Sequence, residues 1–276
     1  MYINTAGLVL RETAYKDSSK ILTVLTAGEG KLTVSARGAL RRNSKLAAVT
    51  QLLAFSEMTL YSGRDRWTMT EAHSVEQFIG LRDDLTLLAH GAYFAELTEA
   101  VADEDSPNPG LLPLVLNALF ALSEKIKEPK YVKPAFELRL MALSGFEPLI
   151  SRCDTCGDGD PEYAALDLAG GTIKCSKCAG SVSGNTGSAG SSRHRGEYSD
   201  AASHDLNAAG RFGLSRGALR AANYIILCDA KKLFSFQLSE TALRELTAAS
   251  EGYLLAHLDR RFRTLDYLKG LVPCKA

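Results

Sequence analysis

Lys20-Ile21-Leu22-Thr23-Val24-Leu25-Thr26, then Ala27-Gly28-Glu29-Gly30, then Lys31-Leu32-Thr33-Val34-Ser35-Ala36: this stretch decides the fold of the first part of the chain. Two runs rich in β-branched and apolar residues flank a connection of hairpin length that contains two glycines. The same bias extends outward, to Gly7–Glu12 before it and to Leu52–Tyr61 and Trp67–Ala72 after it. Five short strands within about seventy residues make a small closed barrel, of which the OB-fold is the best-known five-stranded case. A sandwich fragment or an SH3-like barrel has a similar strand count.

From Ser74 the period changes. Leu85, Leu88, Ala92, Ala95 and Thr98 recur at helical intervals, predicting a helix over Asp84–Ala102 that the breaker Asp105-Ser106-Pro107-Asn108-Pro109-Gly110 ends. Further helices are predicted over Leu112–Ile126, closed by Glu128-Pro129, and over Lys133–Ser144, with Pro134 in the first turn and Gly145 as the stop. Helical pattern returns at Ser215–Cys228 and Ser239–Arg263. These helices are expected to pack as a bundle. Between them, Ser181–Gly210 is dominated by Gly, Ser, Ala and Asn and reads as a mobile surface loop.

The expected organisation is α+β and multidomain: a five-stranded OB-fold barrel over 1–80, a helical domain over 81–150 and 211–276, an inserted four-cysteine zinc module over 151–180, and the flexible loop 181–210. The opening residues lack the apolar core of a secretory signal, and the apolar run Leu111–Leu122, interrupted by Pro113 and Asn117, is too short to span a membrane. A soluble, cytoplasmic protein is expected.

Lys+Arg and Asp+Glu both number 32, so the net charge is zero, which removes the simplest argument for a nucleic-acid binder. The distribution restores it. Residues 1–70 hold ten basic and five acidic side chains, 71–125 hold two and ten, and 211–276 hold eleven and six. Positive ends flank an acidic middle, pointing to an anionic partner for the ends.

Four of the six cysteines form Cys153-x-x-Cys156 and, after eighteen residues, Cys175-x-x-Cys178. Each pair can present two thiolates on one side of a tight turn, and two such knuckles close a tetrahedron around a structural zinc ion with no open position. A redox pair lacks the strand-then-helix setting it needs. The segment between the knuckles reads as too polar for a hydrophobic core, so the metal is expected to replace one. Cys228 reads as a small buried hydrophobe and Cys274 as a free thiol in the tail; His194 and His204 fall in the predicted loop.

Arg37, Arg41, Arg42 and Lys45 follow the third predicted strand, and no acidic residue occurs from Gly30 through Ser56. Small residues among them let a backbone approach a phosphate chain, so these four, with Lys20, Arg64 and Arg66 as peripheral members, are the candidate residues for binding a polyanion such as a nucleic acid. Tyr61 and Trp67 are candidate stacking groups. No catalytic residues emerge. Gly28-Glu29-Gly30-Lys31 is not a P-loop, and Asp83-Asp84 and Asp103-Glu104-Asp105 fit helix ends better than a nuclease metal site.

Gly7-Leu8-Val9-Leu10, Tyr15 to Thr26, Ala36-Arg37-Gly38-Ala39, Leu143-Ser144-Gly145-Phe146-Glu147-Pro148, Tyr253 to Leu258 and Thr264 to Leu268 together resemble the bacterial DNA repair and recombination mediator family RecO. The resemblance covers nearly the whole chain in order. It implies an OB-fold, a helical domain and a zinc module. It also implies a non-enzymatic protein at the nucleoid that binds single- and double-stranded DNA, anneals strands and helps load the RecA recombinase. The implied protein partners are RecR and the C-terminal tail of the single-strand binding protein. For that acidic tail, Lys133, Phe136 and Arg139 are the expected partner-binding residues, an apolar floor with basic rims on one helix. The rival readings are a zinc-ribbon transcription or RNA-binding protein, which does not need a large bundle, and a hydrolase or nuclease, which needs a carboxylate cluster that the sequence does not assemble.

Overall fold

The computed structural model describes residues 1–63, 66–104, 106–179 and 210–271. The predicted loop short of Gly210 therefore lies outside the described residues, as do Arg64, His194, His204 and Cys274. The chain divides into two compact units, residues 1–132 with 261–276, and residues 133–260.

The first unit is built on a closed barrel of β1 (Tyr2–Tyr15), β2 (Ser19–Thr26), β3 (Lys31–Ala36), β4 (Phe55–Ser62) and β5 (Trp67–Glu76), in the order β1-β2-β3-β5-β4. This is the OB-fold. Neighbours are antiparallel except β3 and β5, which run parallel through Val34↔Trp67 and Ser35↔Thr68. Closure depends on the length of β1, which pairs with β4 through its first half and with β2 through its second. At the changeover sits Gly7, where a Cβ would stand 2.6 Å from Val24 Cγ1, so only glycine lets the two strands close in. Val9, Leu22, Val24, Val34, Met58 and Leu60 fill the interior, and the alternate positions face outward.

Helices α1 (Leu85–Val101), α2 (Leu111–Ser123) and α7 (Arg263–Leu271) complete this unit. Asp84 caps α1 by accepting hydrogen bonds from the Thr86 and Leu87 N–H groups, which accounts for the carboxylates at the helix start. Gly91 brings α1 against Leu53 of the β3–β4 connection, since a Cβ there would lie 2.7 Å from Leu53 Cδ1. Tyr93 meets Phe262 edge-on, and the Glu96 carboxylate accepts from the Thr264 N–H and hydroxyl at the start of α7.

The boundary between the units falls within α3 (Pro129–Leu143). The second unit holds the rest of that helix, α5 (Arg216–Leu227), α6 (Glu240–Leu258) and a four-stranded sheet ordered β6 (Leu149–Cys153), β8 (Thr172–Cys175), β7 (Tyr163–Asp167), β9 (Arg211–Ser215). A single turn, α4 (Ser176–Ala179), follows β8. Two expectations differ here. The cysteine segment has a small core of its own, because Ala164, Leu166, Ile173 and Leu214 are buried on this sheet. The helix predicted over Ser239–Arg263 ends at Leu258, where Asp259 turns left-handed at φ 44°, and a separate helix begins at Arg263.

Candidate nucleic-acid interface and metal centre

Arg37 leaves the barrel at the end of β3, and residues 37 to 53 return to β4 as a string of tight turns. The Leu40 N–H donates to Ser18 O at 3.0 Å, the Arg41 N–H to Gly38 O at 3.1 Å, and the Ser44 N–H to Arg41 O at 3.0 Å. Ala39 and Val49 are buried in the barrel core and pin the connection at two points. Arg37, just before the first pin, and Arg41, Arg42 and Lys45, between the two, are all exposed. Buried small residues therefore hold the loop, and its cations project to solvent.

The β1–β2 turn lies beside this loop, as the Leu40–Ser18 bond shows. It contributes Tyr15 and Lys16, with Lys16 Nζ 5.3 Å from the centre of the Tyr15 ring. The Arg66 guanidinium stands over the same ring at 5.7 Å. Lys16 and Arg66 thus extend the basic cluster around one end of the barrel. Tyr15 and Lys16 fall outside the candidate set read from the sequence; the signal that could find them is the position of Lys16 between two strands that a hairpin brings next to β3.

Lys20 is placed differently from Arg37, Arg41, Arg42 and Lys45. Its side chain is only 12% exposed, it pairs with Glu12, and its Nζ donates to Thr50 O at 3.3 Å. Arg64 lies outside the described residues. Trp67 packs partly buried against the barrel core, whereas Tyr61 is exposed.

In the second unit, Cys153 ends β6, Cys175 ends β8, and Cys156 and Cys178 occupy the turns that follow. The parallel β6–β8 pairing, Cys153↔Ile173, brings the two knuckles together. All four sulfurs lie within 4.8 Å of one another, with Cys156 and Cys175 3.7 Å apart. A tetrahedral ion with metal–sulfur bonds of about 2.3 Å needs neighbouring sulfurs about 3.8 Å apart, so the cluster fits a metal of that kind. Gly157, at φ +76°, makes the first knuckle turn, and its N–H donates to Cys153 O at 3.0 Å.

The sulfurs are electrostatically unequal. Burial opposes ionisation of Cys153, but N–H groups of Cys175, Cys156 and Thr155 aimed at its sulfur outweigh it and hold the thiol down to about 6. Cys178 is pushed up to about 12, chiefly by the neighbouring Cys156 and Cys175 sulfurs. Four thiolates this close repel one another, and a divalent cation at their centre removes that repulsion. Asp160, beyond the first knuckle, accepts two bonds from the Arg220 guanidinium at 3.0 and 2.7 Å, tying the module to α5; the same contact holds the Asp160 carboxyl below its usual range.

The three residues expected to frame a partner groove are engaged within the fold. Phe136 is fully buried, and so are Ala135 and Leu140. The face that Phe136 and Leu140 share is an interior face, not the floor of an open groove. Lys133 is also buried and bridges Glu137 at 2.7 Å and Glu251 at 2.8 Å. Arg139 donates to the carbonyls of Ile225, Ile226 and Cys228, closing the C-terminal end of α5.

Among the described residues no helix is long and apolar enough to cross a membrane. Residues 1–78 match the family model described as Recombination protein O N terminal, and residues 82–194 and 162–266 match that described as Recombination protein O C terminal. A protein of Acetivibrio thermocellus named DNA repair protein RecO is 32% identical over 272 residues, 98% of this chain and 97% of its own length. Proteins with the same name from Symbiobacterium thermophilum, 30% identical over 274 residues, and Alkaliphilus metalliredigens, 28% identical over 272, are aligned over 97% and 98% of this chain and 97% and 100% of their own.

Proposed function

Because the chain belongs to the RecO family, we propose that it is a non-catalytic recombination mediator in DNA repair. On this reading it binds single- and double-stranded DNA, anneals complementary strands and, with RecR, helps load the RecA recombinase. The observation that carries the reading is the exposed set Arg37, Arg41, Arg42 and Lys45, with Lys16 and Arg66 beside it, at one end of a closed barrel. Such a set neutralises phosphates without reading bases, so it fits strands of any sequence. Annealing needs that property, because a protein that holds two complementary strands by their backbones, whatever their sequence, leaves the base edges free to pair.

The four cysteines would hold one structural zinc ion, which would cross-link the two knuckles and take no part in a reaction. RecR and the acidic tail of the single-strand binding protein are the protein partners of this role, and the nucleoid is its place of action.

The test is strand annealing. Purified protein should accelerate duplex formation between two complementary oligonucleotides without ATP. Absence of acceleration under conditions where the protein is folded and binds each strand would remove the mediator reading; strand cleavage would remove the non-catalytic one.

A further inference from the structure

Tyr2 and Tyr61 are directly opposed across the β1–β4 pairing, with ring centroids 4.9 Å apart and planes tilted by 49°. Both face away from the barrel: the inward positions beside them belong to Ile3 and Leu60, which pack in the core, while Tyr2 is 65% exposed and Tyr61 42% exposed. Two large rings left together in solvent gain little from burial, and a core that already holds Leu60 and Met58 does not need them.

Their surroundings are basic on one side. The Ser62 N–H donates to Met1 O at 2.8 Å and the Gly63 N–H to Arg66 O at 3.1 Å, so the turn leaving Tyr61 leads at once to Arg66. Arg66 in turn stands over Tyr15, next to Lys16 and the exposed arginine loop. In the other direction the exposed charges are acidic: Glu71, which β5 sets opposite Thr59 two residues from Tyr61, and Glu57, four residues along β4 and about 13 Å away at strand spacing. A polyanion is therefore drawn from the pair toward Arg66 and away from Glu71 and Glu57.

From these observations we infer that Tyr2 and Tyr61 form a platform on which unpaired bases of a single strand stack, while Arg66, Lys16 and the 37–45 loop hold its phosphates. The inference rests on the DNA-binding reading above and adds to it a preference for strands whose bases are free. Stacking is tolerant of sequence because every base has a π-face, and it is closed to a duplex, whose bases are already stacked on each other.

The experiment compares three fluorescent oligonucleotides of one length: a mixed-sequence single strand, the same backbone carrying abasic sites, and a duplex. Wild type should bind the mixed strand more tightly than the abasic one. A Tyr2→Ala, Tyr61→Ala double variant should lose about tenfold or more on the mixed strand, little on the other two, and keep its salt slope. Tyr2→Phe, Tyr61→Phe should bind like wild type, since stacking needs the ring and not the hydroxyl. Equal affinity of the alanine variant and wild type for the mixed strand, with wild type binding well, would overturn the platform alone. An equal loss on all three ligands would also overturn it, assigning the pair to strand pairing instead. Wild type that binds none of the three would remove the DNA-binding reading itself, and the platform with it.

Discussion

Gly30 and Ser106 are in backbone contact: a Cβ built on Gly30 would stand 2.7 Å from the Ser106 carbonyl oxygen. The contact joins the β2–β3 hairpin to the connection between α1 and α2. It continues through the Lys31 N–H, which donates to Asp103 O at 3.1 Å, and through Lys31 Nζ, which donates to Glu99 O at 3.1 Å. Arg11 of β1 adds an ion pair to Glu99 at 2.8 Å, and the Thr23 hydroxyl of β2 donates to the same carboxylate at 3.4 Å, so three strands reach one helix end. Gly30 also sits at φ +70°, where a side chain is strained whatever the space. Gly30→Ala is expected to destabilise the protein by about 2 kcal/mol, combining strain and clash. Gly28→Ala, two residues away in the same turn with nothing within 4 Å of its Cβ, is the control. Urea midpoints of the two variants measure the difference, and equal midpoints would show that the contact carries no stability.

Weaker phosphate binding should act on all sequences alike. Arg41→Ala, Arg42→Ala protein is expected to bind single strands more weakly and with a salt slope lower by about 0.7 for each phosphate no longer neutralised. Lys20→Ala should leave the slope nearly unchanged, because Lys20 is already paired with Glu12 inside the fold. Affinity measured from low to moderate salt reports both. An unchanged slope in the arginine variant would move the phosphate path off this loop.

How far the sequence disclosed this site depends on the range of the interactions that build it. The β2–β3 hairpin was legible because its strands and turn are consecutive, and the four cysteines because metal spacing is local. The charge on residues 37 to 45 was legible for the same reason. Lys20 was not, because its inward turn depends on Glu12 across a strand pair and on Thr50 thirty residues away. Tyr2 was invisible as a partner of Tyr61, since only barrel closure brings the first strand to the fourth. Phe136 read as an amphipathic surface position because the helix carries charges around it; burial of Lys133 between two glutamates is a tertiary compensation that no local pattern displays. The sheet around the cysteines escapes a local reading since β9 joins it from beyond residue 210.

The cysteine cluster should contain close to one zinc ion per chain when protein is purified without chelators. Cys175→Ser removes a sulfur on a buried strand end and is expected to lower the zinc content to near zero and to loosen residues 149–179, since metal binding and folding of such a knuckle pair are coupled. Elemental analysis gives the first quantity and protease resistance of the module the second. A strong chelator should reproduce the second effect in wild type, while Cys228→Ser, outside the cluster, should change neither. Full zinc content in Cys175→Ser would refute the four-sulfur site.

Lys133 offers the last test, because its charge is compensated by the tertiary fold and not by solvent. Burial pulls its pKa down, but Glu137 and Glu251 outweigh that and hold it above the ordinary 10.5. Glu137 is itself fully buried and also accepts a hydrogen bond from the Ser250 hydroxyl at 2.7 Å. Removing the ammonium leaves two carboxylates facing the space it held, so Lys133→Met is expected to cost about 3–5 kcal/mol, the scale for breaking a buried pair from one side. Removing both ends, in Lys133→Met, Glu137→Leu, should restore much of that stability, since the buried charge that needed a partner is gone as well. The pH dependence follows from the direction of the shift. A lysine whose folded pKa lies above its unfolded value stabilises fully below the unfolded pKa, and the contribution fades as pH rises through the folded one. The stability difference between wild type and Lys133→Met should therefore be constant from neutral pH to about 10 and shrink above it. Denaturant midpoints taken at intervals across that range trace the curve. A difference that instead grows with alkaline pH would mean that Lys133 is better tolerated neutral than charged, and that the ion pairs with Glu137 and Glu251 do not stabilise the fold.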